Sequence, residues 1–413
     1  MKEMPLKSCR TQLFLAVLGI GIGCMIGAIT MVFGSVLLWI AEFRGQHIIP
    51  LIPCIPIAGL CIVWFYEKFG GRSKEGMNLV LDVAHRNETT IPKRLIPLIM
   101  GSTWLTHFVG GSAGREVVAV QIGAAVSNQI GKRFAIEDGT HIFLVTGMAA
   151  GFAGLFQTPV AAIFFAAEVL VVGQLALRAI VPMVTAAFSV AWVSHFLGLE
   201  KFTVAFHIDF SFMLLLQAFI MGIIFGVVGT YFAKMLRYMK QTCAHIIPNA
   251  KLRIFVFGIL LAILLFTLHY GRYTGLGTNL ISDAFSNQTI YPYDWLCKAL
   301  LTGFTLAIGF QGGEVTPLFS IGASLGAVLI IFFDVPIAFA AALGYVVVFG
   351  SATNTFFAPI CIGMEVFGYD KLIYFLTACV AAHIFCHHAS IYGKQKHGSY
   401  YQTVQNAIKI FQK

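Results

Sequence analysis

Apolar runs recur along the chain at 12–40, 49–66, 93–109, 139–172, 176–197, 210–235, 252–269, 294–310, 316–352 and 371–388, parted by short polar segments. A helix needs about 20 apolar residues to cross a hydrocarbon core roughly 30 Å thick, so the pattern predicts an all-α polytopic membrane protein. Several runs are too short or too broken by glycine to cross alone, which predicts tilted and interrupted helices. Strand-length runs of alternating polar and apolar residues with regular turns are missing, which argues against a β-barrel. The 12–40 run is too long for a leader and lacks a small-residue cleavage site, so it reads as a retained span.

The chain repeats itself. Three pairs of segments occur in the same order at an offset of about 200 residues. Gly76-Met77-Asn78-Leu79-Val80 matches Gly277-Thr278-Asn279-Leu280-Ile281. Gly114-Arg115-Glu116-Val117 with Ile122-Gly123-Ala124 matches Gly313-Glu314-Val315 with Ile321-Gly322-Ala323. Pro159 and Glu168 match Pro359 and Glu365. The pairs predict a duplicated unit within one transmembrane domain spanning 1–413, with a first inverted repeat at 12–200 and a second at 208–390. Such folds hold substrate on the pseudo-symmetry axis, where broken helices aim their ends at it. The glycine-rich turns 110–114 and 309–313 each open an apolar run, so their free N–H groups predict an anion as the ligand.

Composition sharpens this picture. Of 413 residues, 58% are hydrophobic and 11% charged, and the formal charge of +9 sits in loops and at the ends, at residues such as Lys2, Lys7, Arg10, Lys394 and Lys409. Basic loops flank spans on the cytoplasmic side, so both termini are expected in the cytoplasm and the charge does not call for nucleic acid. Nine scattered cysteines without a CxxC pair read as small buried hydrophobes. Few residues follow Tyr392, so no C-terminal regulatory domain is expected. No Walker loop, HExxH or Ser/His/Asp arrangement occurs, so no enzyme and no cofactor is expected.

Glu116 is the foremost candidate, since a carboxylate starting an apolar helix at membrane depth is costly unless paired, hydrated or used. As a gate it would compete with the anion for one positive site and let go when protonated; otherwise it complements the helix dipole or pairs with Arg115. Glu314 takes the matching place in the second half, either as a second pore carboxylate or as a structural acid held by backbone N–H groups. Thr316 offers a hydroxyl to the ion or to Glu314. Asn78 and Asn279 could donate to an anion or cap the helices that follow. Tyr392 could donate its hydroxyl to an arriving anion or sit in an interfacial aromatic belt. Glu168 and Glu365, deeper in apolar runs, read as structural. His383 and His387 share a helical face, yet without a second pair of ligands relay or packing is preferred to a metal site.

Gly114-Arg115-Glu116 followed by Val120-Gln121-Ile122-Gly123 resembles the gating-glutamate motif of the CLC family of chloride channels and proton-coupled exchangers, and residues about 60 to 390 can be laid on that pattern. The resemblance implies a homodimer with one ion pathway per subunit, Glu116 as the external gate, and Tyr392 as the pore tyrosine at the inner end. Three departures resemble the fluoride-exporting branch. The serine motif of chloride members is replaced by a segment with Met77 at the serine position, the second-half motif reads Gly313-Glu314-Val315-Thr316-Pro317, and Glu168-Val169 stands where many chloride exchangers carry two glutamates. In contrast, Val117 stands where glycine is usual beside the gate, and Val80 and Ile281 stand where fluoride relatives can carry a phenylalanine pair.

The expectation is therefore a fluoride/proton antiporter that exports fluoride across a bacterial inner membrane. Glu116 and Glu314 would gate and couple protons, while Met77, Asn78, Gly114, Val117, Asn279, Val315, Thr316 and Tyr392 would line the anion site. Fluoride, protons and membrane lipid are the expected partners. The rivals are a chloride channel or chloride/proton exchanger of the same fold, a proton-coupled solute symporter and, last, an intramembrane enzyme using the two carboxylates.

Overall fold

The computed structural model describes residues 4, 6, 8–87, 90–286, 288–386 and 389–398. Their sixteen α-helices form two sets of eight in the same order. The first set is α1 (Cys9–Leu51), α2 (Ile55–Phe65), α3 (Met77–Ala84), α4 (Leu95–Phe108), α5 (Glu116–Gly131), α6 (Gly139–Phe156), α7 (Pro159–Glu168) and α8 (Ile180–Phe196). The second is α9 (Phe212–Ile246), α10 (Ala250–Thr267), α11 (Thr278–Phe285), α12 (Asp294–Ile308), α13 (Val315–Leu329), α14 (Ile337–Thr353), α15 (Phe357–Phe367) and α16 (Leu372–Cys386). Two short strands, β1 (Val171–Val172) and β2 (Lys396–His397), pair in parallel and tie the C-terminal segment to the end of the first half.

The halves pack alike. In each, the fifth helix lies on the sixth and the first on the eighth. The α5–α6 crossing brings Gly123 against Gly147 so closely that a Cβ on Gly123 would stand 2.1 Å from the Gly147 carbonyl oxygen; at the α13–α14 crossing, Gly322 and Gly344 would clash at 2.0 Å. Small residues allow such close backbone approach, which drives helix association where the surrounding medium is as apolar as the side chains.

Two apolar runs expected as units are each a pair of helices. The 139–172 run breaks after α6, where Gln157 turns left-handed at φ 53° and Pro159 opens α7. The 316–352 run breaks between α13 and α14, with Pro336 as the N-cap of α14, and α14 itself ends on Asn354 at φ 55°. Only Gln157 and Thr158 at the first break and Asp334 at the second interrupt the apolar side chains; the left-handed cap at Gln157 and the prolines Pro159 and Pro336 redirect the backbone there.

Glu168 and Glu365 take the structural role that their sequence positions suggested. Glu168, the last residue of α7, accepts the N–H groups of Phe356, Phe357 and Ala358 at 3.0, 3.1 and 2.7 Å, at the start of α15. Glu365 of α15 accepts those of Val160 and Ala161 at 3.2 and 2.8 Å, at the start of α7. Each helix thus caps its repeat mate, satisfying N-terminal amides that an apolar interior leaves orphaned.

The outer surface is apolar, with Leu13, Val17 and Trp39 of α1, Trp192 and Phe196 of α8, and Phe212 of α9 all exposed. The expectation of buried cysteines holds for Cys243, Cys361, Cys379 and Cys386, but Cys9, Cys24, Cys54 and Cys61 lie on this surface. A helix that borders lipid has no need to turn its small apolar side chains inward.

Candidate anion site

Helices α5 and α13 are short, about 24 and 22 Å at 1.5 Å per residue, so neither crosses the bilayer by itself. Their N-termini meet instead. Gly114 donates to the Gly313 oxygen at 2.5 Å, and Gly313 donates back to the Gly114 oxygen at 2.8 Å, forming an antiparallel bridge between the halves. The junction is tight at Gly114, where a Cβ would lie 3.0 Å from the Gly313 oxygen and 2.9 Å from Pro317 Cδ.

Glu116 is the first residue of α5, and its side chain reaches the start of α13. One carboxylate oxygen, Oε2, accepts the Thr316 hydroxyl at 2.5 Å and the Thr316 N–H at 3.2 Å. The Arg115 N–H also donates to Oε2 at 3.2 Å, and Arg115 Nε stands 3.6 Å from Oε1. The ion pair weighed against gating therefore coexists with the bond across the axis. Glu116 is 1% exposed and its negative charge rests on the N-terminal dipole of the other half. A carboxylate oxygen there occupies the kind of position an anion would take.

Glu314 is the N-cap residue of α13 and lies in the wall of a cavity of about 240 Å³, with Lys240 Nζ of α9 3.8 Å from its carboxylate. The same cavity is lined by Met77, Asn78, Val117, Gln121 and Tyr392, with Lys74 and Glu75 also in its wall. Tyr392 is buried, which sets aside the interfacial belt, and its ring stands edge-on to Phe165 at 6.4 Å. Its hydroxyl has no hydrogen-bond partner among the described residues. Asn78 does not cap α3, whose N-cap is Gly76 at φ 55° and which lacks a side-chain cap. Val117 lies within the first turn of α5, so its branched side chain needs no glycine-like backbone, and it packs on Gly313. Val315 and Thr316 form the buried start of α13.

Asn279 is not brought to this cavity. Its side chain donates to the Arg272 oxygen at 2.9 Å, in the wall of a separate cavity of about 540 Å³ bounded by Arg44, His269 and Tyr291. Nor does Asn279 cap α11, whose N-cap is Gly277. Equal positions in the two halves therefore need not share a site. Val80 and Ile281 are both buried in the main core and line neither cavity. His387 lies outside the described residues.

Sequence reasoning overlooked Lys240 and the ring series from Tyr345 through Phe319, Phe349 and Phe165 to Tyr392, with successive centroids 4.1, 5.1, 6.0 and 6.4 Å apart. No periodicity links these positions; only packing brings them together. Gln121 was legible, since it sits one turn beyond Val117 on the same face of α5.

Residues 58–387 match the voltage gated chloride channel family, and the chain belongs to that family. It is 31% identical over 367 residues to the chloride/fluoride channel protein of Pseudomonas syringae pv. tomato, covering 86% of this chain and 81% of the relative. It is 48% identical to a CLC-type fluoride/proton antiporter of known crystal structure, with a TM-score of 0.93, covering 95% of this chain and all of that one. A slow cyanobacterial Cl⁻/H⁺ antiporter shares the fold at 19% identity and a TM-score of 0.80, covering 95% and 97% of the two chains. The protein is thus a multi-pass membrane protein of the CLC fold, in a class of ion channels and transporters.

Proposed function

We propose that the protein exports fluoride in exchange for entering protons, with Glu116 as the gate. The carrying observation is the Glu116 carboxylate held by the hydroxyl and N–H of Thr316 at the N-terminus of α13. A fluoride ion and this carboxylate would compete for those donors. A proton on Glu116 removes its charge, weakens its hold on the helix terminus and frees the donors for the anion, so proton and anion occupancy become linked. Fluoride is small and tightly hydrated, and a site that strips its water must return strong hydrogen bonds. Thr316, the unpartnered Tyr392 hydroxyl and the amide of Asn78 are suited to supply them. The likeness to the fluoride/proton antiporter supports the choice of ion.

Glu314 would serve as a second, inward-facing carboxylate, with Lys240 setting its charge balance. Met77, Val117, Val315 and the Gly114 backbone would shape the path. The cavity beside Glu314 would open to the cytoplasm, since Lys74 and Lys240 line it and basic residues favour that side. The resemblance further supports a homodimer with one path per chain, in a bacterial inner membrane with both termini cytoplasmic.

Purified protein in liposomes tests this reading, with an electrode reporting fluoride efflux, a dye reporting internal pH, and chloride measured in parallel. Fluoride exit with proton entry and little chloride movement is the expected result. Chloride flux without fluoride flux would return the protein to chloride transport.

A further inference from the structure

Two parts of the wall around the cavity beside Glu314 come from distant stretches of chain. One is the start of α3, with Glu75, Met77 and Asn78; the other is the segment after α16, with Ile391 and Tyr392. They approach closely, since a Cβ on Gly393 would stand 3.9 Å from Asn78 Oδ1. The segment after α16 is strung between the halves as a strap. At one end the Ile391 N–H donates to the Ala352 oxygen of α14 at 2.9 Å; at the other, the N–H groups of Lys396 and Gly398 donate to the Leu170 and Val172 oxygens, just after α7, at 3.2 and 3.0 Å. Between these anchors Tyr392 opens a turn, closed by the Gln395 N–H on the Tyr392 oxygen at 3.2 Å.

Lys394 fastens this turn to α3. Its ammonium donates to Asp82 Oδ2 and stands 3.6 Å from Glu75 Oε2, which also belongs to the carboxylate paired with Arg72 at 3.2 Å. The Lys394 carbonyl oxygen lies 3.2 Å from His85 Nε2. Asp82 is 7% exposed, so its charge is costly without a partner; Lys394 supplies one, and the Asn87 amide adds a bond at 3.4 Å. An ion pair with one member so buried is screened less than a pair open to water. Asp82 lies one turn beyond Asn78 on the same face of α3, and Lys394 lies two residues beyond Tyr392. The pair therefore closes a ring whose sides carry Asn78 and Tyr392.

We infer that Asp82 and Lys394 are positioning residues, whose bond clasps the strap to α3 and fixes the separation of Asn78 and Tyr392. Neither side chain lines the cavity, so the pair acts through the two residues that do. That those two residues bind fluoride rests on the proposed function; the clasp itself does not.

Two readouts test the clasp. In a background with the native cysteines replaced, Ile391→Cys reports on the strap through its rate of reaction with a maleimide in detergent. Efflux from liposomes over a range of fluoride concentrations separates binding from turnover. Lys394→Met removes the cation at a side chain that is 43% exposed, so the fold should survive. It should speed labelling about tenfold and raise the half-maximal fluoride concentration about tenfold, with the maximal rate within about twofold. Lys394→Arg keeps the charge and should hold both readouts within about twofold of the unaltered protein. Asp82→Asn should match Lys394→Met, and the double variant should be no worse than either, because the same bond is lost once. If Asp82→Asn does not fold, the two Lys394 variants decide. Effects that multiply in the double variant would give the two residues separate roles and overturn the inference. So would unchanged labelling in Lys394→Met, faster labelling with an unaltered half-maximal concentration, or a Lys394→Arg variant no better than Lys394→Met. If the unaltered protein moves chloride and no fluoride, the fluoride reading fails by itself, and labelling with the half-maximal chloride concentration still decides the clasp.

Discussion

At the scale of single residues, Glu116 and Thr316 would define the proposed exchange event. Each is the partner of the other across the axis, through the hydroxyl bond at 2.5 Å. Glu116→Gln keeps the shape and removes the titrating charge, so it should abolish proton coupling in the paired fluoride and pH recordings while leaving the protein folded. Glu314→Gln should also uncouple or stop exchange; transport unchanged by both substitutions would remove the two-carboxylate mechanism. Thr316→Val deletes one donor to the axial position but keeps the backbone N–H. A hydrogen bond to a charged group is worth about 1.5–3 kcal/mol, so fluoride binding measured by calorimetry should weaken at least about tenfold.

At the scale of elements, the short helices are held by their mates more than by their own length. Glu365 secures the start of α7 and Glu168 the start of α15, so the two caps form a closed pair. Glu365→Gln removes the charge from two backbone N–H bonds and should lower the detergent-solubilised melting temperature, with a cost of about 1.5–3 kcal/mol. Glu168→Gln affects three such bonds and should cost at least as much. Gly322→Val meets the α14 backbone directly, where a Cβ would stand 2.0 Å from the Gly344 oxygen, and should prevent α13 from seating. Its expected signature is aggregation on size-exclusion chromatography, distinct from the folded but uncoupled product of Glu116→Gln.

At the scale of the whole molecule, the proposed inversion would place the two polar cavities on opposite faces. Met77 and Asn78 at the start of α3 line one, while Thr278 and Asn279 at the start of α11 line the other. Cysteines introduced as Lys74→Cys and His269→Cys, in a background with the native cysteines replaced, should therefore be modified by an impermeant maleimide from opposite sides of sealed vesicles. Modification of both from the same side would contradict the inverted arrangement.

The sequence by itself determined the class and the duplication, and it singled out Glu116 and Glu314 as candidates. Bilayer thickness dictates the length of apolar runs, and a repeated unit leaves repeated glycine, proline and glutamate positions whatever its tertiary placement. The breaks inside 139–172 and 316–352 were passed over because one or two polar residues, Gln157 with Thr158 and Asp334, barely lower the hydropathy of a long run, whereas Gln157 and Pro336 act on the backbone. Tertiary structure alone decided that Glu116 is held by Thr316, that Lys240 from a distant helix stands beside Glu314, and that Asn78 and Asn279, identical in repeat position, part company. The reason is geometric. An inverted repeat maps equal sequence positions to equal surroundings but opposite faces, so only residues at the axis share a site, and how far a residue lies from that axis is a property of the packed fold.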